Sequence, residues 1–113
     1  QSRYAVIPIP FRSGADMPYF IETFDKPDSA QLRADNRPDH LEFLRQNASK
    51  LLACGAKLNA EGAATGSTYI VDAETEEDAK AFLDQDPFTK VGLPGEVKMT
   101  YWRKAVLDGK AFV

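Results

Sequence analysis

The chain has 113 residues, 43% of them hydrophobic and 27% charged, with a net charge of −3. This describes one packed domain rather than a disordered chain. The acidic balance without a dense Lys/Arg cluster argues against a nucleic-acid surface, and no apolar run approaches the roughly 20 residues of a membrane span. A single cysteine, Cys54, rules out an internal disulfide and suits a cytoplasmic location.

Residues 1–16 stand apart. Residues 4–11 are apolar but short and broken by Pro8 and Pro10, unlike a signal peptide. A regular strand pattern starts directly after Met17, so residues 1–16 read as an upstream arm, an alternative start or an appended extension, and 17–113 as the domain. As an arm, residues 4–9 would add an edge strand, where proline is tolerated.

In chain order, residues 19–24 (Tyr-Phe-Ile-Glu-Thr-Phe) are aromatic and β-branched and predict a strand. Asp25-Lys26-Pro27-Asp28-Ser29 is turn chemistry, and Asp28 or Ser29 would cap a short helix through Ala34. The main helix is expected to start near Pro38 and run to about Ala53, with Leu41, Leu44, Ala48, Leu51 and Leu52 on one stripe and Gly55 as its C-terminal cap. Residues 57–63 and 68–72 predict two strands joined by a Thr65-Gly66-Ser67 turn. Thr75-Glu76-Glu77-Asp78 resembles a capping box opening a second helix, whose buried side is Ala79, Phe82 and Leu83 and whose stop is Pro87. After a Gly92-Leu93-Pro94-Gly95 loop, residues 97–106 predict a long final strand.

Strand, helix, strand, strand, helix, strand is the order of a ferredoxin-like βαββαβ sandwich, an α+β fold with an antiparallel sheet and both helices on one face. The first strand sets Tyr19, Ile21 and Thr23 against Phe20 and Phe24. The last sets Val97, Met99 and Tyr101 against Thr100, Trp102 and Val106. Large apolar groups on both sheet faces need two covers, and helices supply one, so a homodimer with facing sheets is expected.

For chemistry, His40 and Asp86 are the most distinctive residues. The chain's one imidazole is placed in the first turn of the main helix, at the edge of its stripe, where the helix dipole favours the neutral ring. Asp86 follows Phe82 by four and continues the apolar stripe; the negative helix end and partial burial would both disfavour its charged form. Each also has a structural role open to it: a half-buried ring bonded to a carbonyl, and a carboxylate turning the chain before Pro87. Arg37 and Asp25 flank the region and would bind an anion or hold the helix start. Ser67 is a turn hydroxyl or a pocket donor, and Phe88 and Trp102 line a pocket or pack a core. There is no phosphate loop and no dinucleotide turn, and one histidine with one cysteine argues against a transition-metal site, so no cofactor is expected.

From Met17 to about Val106 the chain resembles the YCII-related (YciI-like) family. The resemblance rests on an ordered set: the first strand running into Asp25-Lys26-Pro27-Asp28-Ser29, Arg37-Pro38-Asp39-His40-Leu41, Gly66-Ser67, the Glu-rich second helix, and Asp86-Pro87-Phe88. It implies a ferredoxin-like dimeric α+β barrel similar to muconolactone isomerases, with an active site on His40 and Asp86. The family pattern often has Tyr where Phe88 stands, which leaves no phenol at that position. A few members are similar to dehydrochlorinases and isomerases of hydroxylated aromatics or their ring-cleavage products, working without metal or organic cofactor. The function expected is therefore a lyase or isomerase of a small organic substrate, with Arg37 or Ser67 steadying an oxyanion. The alternative is a non-catalytic dimeric module that binds a small ligand or a partner.

Overall fold

The computed structural model describes residues 18–113; the expected edge strand of residues 4–9 lies outside them. Strand β1 (Tyr19–Asp25) leads into helix α1 (Ala30–Gln46), then a 3₁₀ turn at Ala48–Lys50. Strands β2 (Leu51–Leu58) and β3 (Ala64–Val71) follow, then helix α2 (Glu76–Asp84), the single turn α3 (Pro87–Lys90) and strand β4 (Pro94–Tyr101). The four strands form one antiparallel sheet in the order β2-β3-β1-β4. Each βαβ half thus leaves a central strand and returns at a sheet edge, with the other half's central strand between the two, which is the ferredoxin-like arrangement.

The inner sheet face carries Ile21, Tyr69 and Val71, packed against Ala79, Phe82 and Leu83 of α2 and against Phe43 and Leu44 of α1. Side chains alternate along a strand, so the register Ile21↔Tyr69 and Thr23↔Ser67 places Ser67, Tyr69 and Val71 on that same inner side. The outer face holds Phe20, Phe24 and Ile70, all half-buried, interleaved with Glu22, Lys57 and Lys98. Lys57 Nζ lies 3.3 Å from the Phe24 ring centroid and 3.2 Å from Glu22 Oε2.

Four boundaries differ from the sequence reading. The two predicted helices before residue 53 are one helix, α1, with Pro38 inside it. The proline removes one backbone donor, yet helical residues on both sides keep the chain in register. Second, α1 stops at Gln46, where the Asn47 side chain donates to the Phe43 carbonyl at 2.9 Å. Leu51 and Leu52 consequently begin β2, and Gly55 is a strand residue rather than a cap.

Third, the β2–β3 loop is residues 59–63, not Thr65-Gly66-Ser67. Asn59 Oδ1 accepts from the Glu61 and Ala63 N–H groups at 3.0 Å each, and Gly62 supplies the positive φ. Gly66 belongs to β3 for a different reason: a Cβ there would collide with the Thr23 carbonyl oxygen of β1. Fourth, the final strand is Pro94–Tyr101, so it starts inside the expected loop of residues 92–95 and stops short of Val106. A separate hairpin, β5 (Val106–Leu107) and β6 (Lys110–Ala111), follows. Asp108 and Gly109, at φ 53° and 77°, are its two turn residues, the positive-φ pair that a tight hairpin demands.

Candidate active site

α1 brings His40 over the inner face of the sheet from the middle of the helix, not from its first turn, so the expected influence of the helix N-terminus does not reach it. Asp86 likewise departs from its expected place at the end of α2. It stands between α2 and α3 in an extended conformation (φ −70°, ψ 128°), as a residue before proline must. There it caps α3, with its Oδ1 accepting the Phe88 N–H at 2.9 Å.

The two side chains meet across 46 positions of chain. His40 Nδ1 lies 2.8 Å from Asp86 Oδ1 and 3.0 Å from Oδ2. A carboxylate only accepts, so Nδ1 carries the hydrogen and donates it. In the neutral ring Nε2 then holds the free lone pair. It has no hydrogen-bond partner among the described residues, and it is not one of the sealed, unpartnered polar atoms. The ring of His40 is therefore anchored through Nδ1, with Nε2 unpartnered among the described residues.

Asp86 is fully enclosed, and a third donor reaches it: Tyr69 Oη donates to Oδ2 at 2.5 Å. Burial first, then the Asp86 charge and this bond, raises the Tyr69 pKa far above the ordinary phenol value of 10.0. The phenol is thus a fixed donor. Cys54, opposite Tyr69 in the β2–β3 register, is pushed up to about 11 by burial and then by the Asp86 charge. It is a protonated thiol at neutral pH, with little nucleophilic character.

A second polar cluster adjoins the pair. Arg33, buried on α1, donates from Nε to Asp25 Oδ2 at 2.7 Å and from Nη2 to Asp25 Oδ1 at 3.3 Å and Ser67 Oγ at 3.1 Å. The Ser67 N–H in turn donates to Thr23 Oγ1 at 3.0 Å. Nη1 of Arg33 has no partner among the described residues and, like His40 Nε2, is not sealed. Phe88 joins the clusters: its ring lies 3.9 Å from that of His40 at 12°, and the Arg33 guanidinium carbon is 4.7 Å from its centroid. An imidazole stacked that closely covers one face, which leaves the other to Arg33.

Of the residues expected from sequence, the structure gathers His40, Asp86, Ser67, Phe88 and Asp25. Arg37 stays exposed on α1 without a side-chain bond among the described residues. Arg33 takes the place expected of it, because it lies seven residues before His40 and so two turns away on the same helix face. Sequence reading passed over Tyr69, for which the signal was a phenol in a core strand, a group that needs a polar partner when buried. Trp102 is half-buried beyond the end of β4, with its backbone N–H donating to the Pro18 carbonyl at 2.9 Å. A groove of about 700 Å³ opens beyond Phe82, lined by Phe43, Asn47, Lys50 and Asp72 among others, but neither His40 nor Asp86 borders it. Among the described residues no three His, Cys, Asp or Glu side chains are grouped to hold a metal ion, and no helix is long and apolar enough to cross a membrane.

A ferredoxin-like domain with a buried histidine–carboxylate pair defines the class. Residues 17–103 match the model of the YCII-related domain, and the chain belongs to that family. It is similar to Protein YciI of Escherichia coli O6:H1 and of Shigella flexneri, each 36% identical over 96 residues, covering 78% of this chain and 98% of theirs. Among solved structures it resembles the 5-chloro-2-hydroxyhydroquinone dehydrochlorinase of Burkholderia phenoliruptrix in complex with 2,5-dihydroxybenzoquinone. That likeness has a TM-score of 0.71 and 33% identity, over 77% of this chain and 94% of the other.

Proposed function

We propose that the protein is a lyase or isomerase that moves a proton on a small hydroxylated ring or lactone, with His40 and Asp86 as its acid–base pair. The observation that carries this reading is the Nδ1–H of His40 held 2.8 Å from an enclosed carboxylate while Nε2 stays unpartnered. Nε2 takes a proton from the substrate, and Asp86 stabilises the imidazolium that forms. Electrons released into the ring expel a leaving group in an elimination. In an isomerisation His40 instead returns the proton at a second carbon. Such help is worth about 10²–10⁴-fold in rate. Arg33 Nη1, with Ser67 beside it, supplies the cationic donor for an oxygen that gains negative charge, the role sequence reading gave to Arg37 or Ser67. The dehydrochlorinase likeness supports both the reaction class and a hydroxylated aromatic substrate.

The same proposal includes a second copy of the chain over the outer sheet face, where no helix among the described residues covers Phe20, Phe24 and Ile70.

A thermal-shift screen of hydroxylated quinones, 2,5-dihydroxybenzoquinone included, tests the substrate class, since a ligand stabilises the native state according to its occupancy. A stabilising substrate whose turnover is unchanged in His40→Ala overturns the assignment of the base.

A further inference from the structure

The carboxylate that orients His40 is shared, and the sharing has a direction. Asp86 takes hydrogen bonds from His40 Nδ1, from the Phe88 N–H and from the Tyr69 hydroxyl. The Phe88 donor is backbone and cannot change. The Tyr69 donor is fixed as well, because burial and the neighbouring charge keep the phenol protonated throughout the range in which an imidazole titrates. Every bond that stabilises the Asp86 charge on the tyrosine side leaves less of it for an imidazolium on the other.

Tyr69 also faces the second cluster. It sits two residues from Ser67 on the same side of β3, and the Ser67 hydroxyl acts on the phenol against the larger upward effects. Ser67 Oγ is itself held by Arg33 Nη2, and Arg33 by Asp25. Polar contacts therefore run from Asp25 through Arg33 to Ser67, and from Tyr69 through Asp86 to His40, with Ser67 and Tyr69 on one side of β3.

We infer that Tyr69 is a positioning residue that sets the proton affinity of His40 through Asp86. The inference rests on the acid–base reading of His40 and Asp86. The groups in contact with the His40 ring are Asp86 before α3, Tyr69 on β3 and Phe88 on α3. The other titratable or charged groups near the pair are Cys54 on β2, opposite Tyr69, and Arg33 on α1, which adjoins Phe88 and holds Asp25 at the end of β1. Among them Tyr69 alone is an uncharged side chain bonded directly to the His40 partner. Removing its hydroxyl returns acceptor strength to the carboxylate and stabilises the protonated ring.

The test is a pH titration of the His40 ring by NMR on the full chain, unambiguous because the sequence holds one histidine. Tyr69→Phe raises the midpoint by about half to one pH unit. In the Asp86→Asn background the same substitution leaves it unmoved. Site-specific 3-fluorotyrosine at position 69, a stronger donor in an unchanged fold, lowers the midpoint and guards against a Tyr69→Phe chain that folds poorly. A midpoint that moves in Asp86→Asn but in neither tyrosine variant overturns the inference and leaves the His40–Asp86 pair standing. Indifference in all of them overturns both. A Tyr69→Phe shift that persists without the Asp86 charge overturns the route through Asp86.

Discussion

His40 and Phe88 stack nearly parallel, with ring centroids 3.9 Å apart and planes 12° apart. The stack fixes the imidazole plane while Asp86, two residues before Phe88, fixes its rotation through Nδ1. One short stretch of chain, Asp86-Pro87-Phe88, thus supplies both constraints, and Pro87 at the first position of α3 holds their mutual geometry. Phe88→Ala should cost about 3–5 kcal/mol as a buried aromatic truncation. Urea denaturation reads the cost, and broadened His40 ring signals in NMR should accompany it.

Arg33 and Arg37 occupy the same helix and should behave oppositely. Arg33 is buried with Asp25, so Arg33→Ala strands a carboxylate and should cost about 3–5 kcal/mol. Arg33→Lys should recover only part of this, because a lysine lacks the fork that reaches Asp25 and Ser67 together. Arg37→Ala should change stability by no more than about 0.5 kcal/mol. Equal unfolding midpoints for Arg33→Ala and Arg37→Ala would contradict the assignment.

Stability should fall on the alkaline side. Cys54 is raised to about 11 from 9.0, and Tyr69 is raised from 10.0, both chiefly by burial. Raised acids keep their protons in the native state where the unfolded chain has lost them. Their contribution is therefore complete below about pH 9 and is lost as pH climbs through the native values. Urea midpoints from about pH 8 to pH 11 should decline, and Cys54→Ser combined with Tyr69→Phe should flatten the decline.

Light scattering at micromolar concentration should give twice the chain mass if a second copy covers Phe20, Phe24 and Ile70. Replacing Phe20 and Ile70 with lysine should then give a folded monomer, since neither belongs to the inner core. A native chain that scatters as a monomer contradicts the dimer.

The alternation of residues 19–24 and the Thr75 cap with Ala79, Phe82 and Leu83 made β1 and α2 readable, because local chemistry and burial agree there. Where they conflict, reading failed. Pro38 looks like a helix start, and taking it so split α1 and hid the seven-residue spacing that aligns Arg33 with His40. The leucines at 51 and 52 continue a helical stripe in sequence, yet Asn47 ends the helix and they pack from a strand. Gly66-Ser67 has turn composition, but the glycine is there for the close approach of β1. Placing Ser67 in a turn concealed that it and Tyr69 share one face. The His40–Asp86 pair was legible from the lone imidazole beside a helical stripe, the Asp86-Pro87-Phe88 stretch and the family resemblance these support, although Asp86 reaches His40 from the turn before α3 and not from the stripe of α2.

The most direct test is solvent exchange. In D₂O the native chain should catalyse exchange of an acidic C–H of a bound hydroxylated quinone or lactone, followed by NMR. His40→Ala should slow that exchange by about 10²–10⁴-fold while still binding the ligand. Equal exchange rates for the two chains at equal occupancy would contradict His40 as the base.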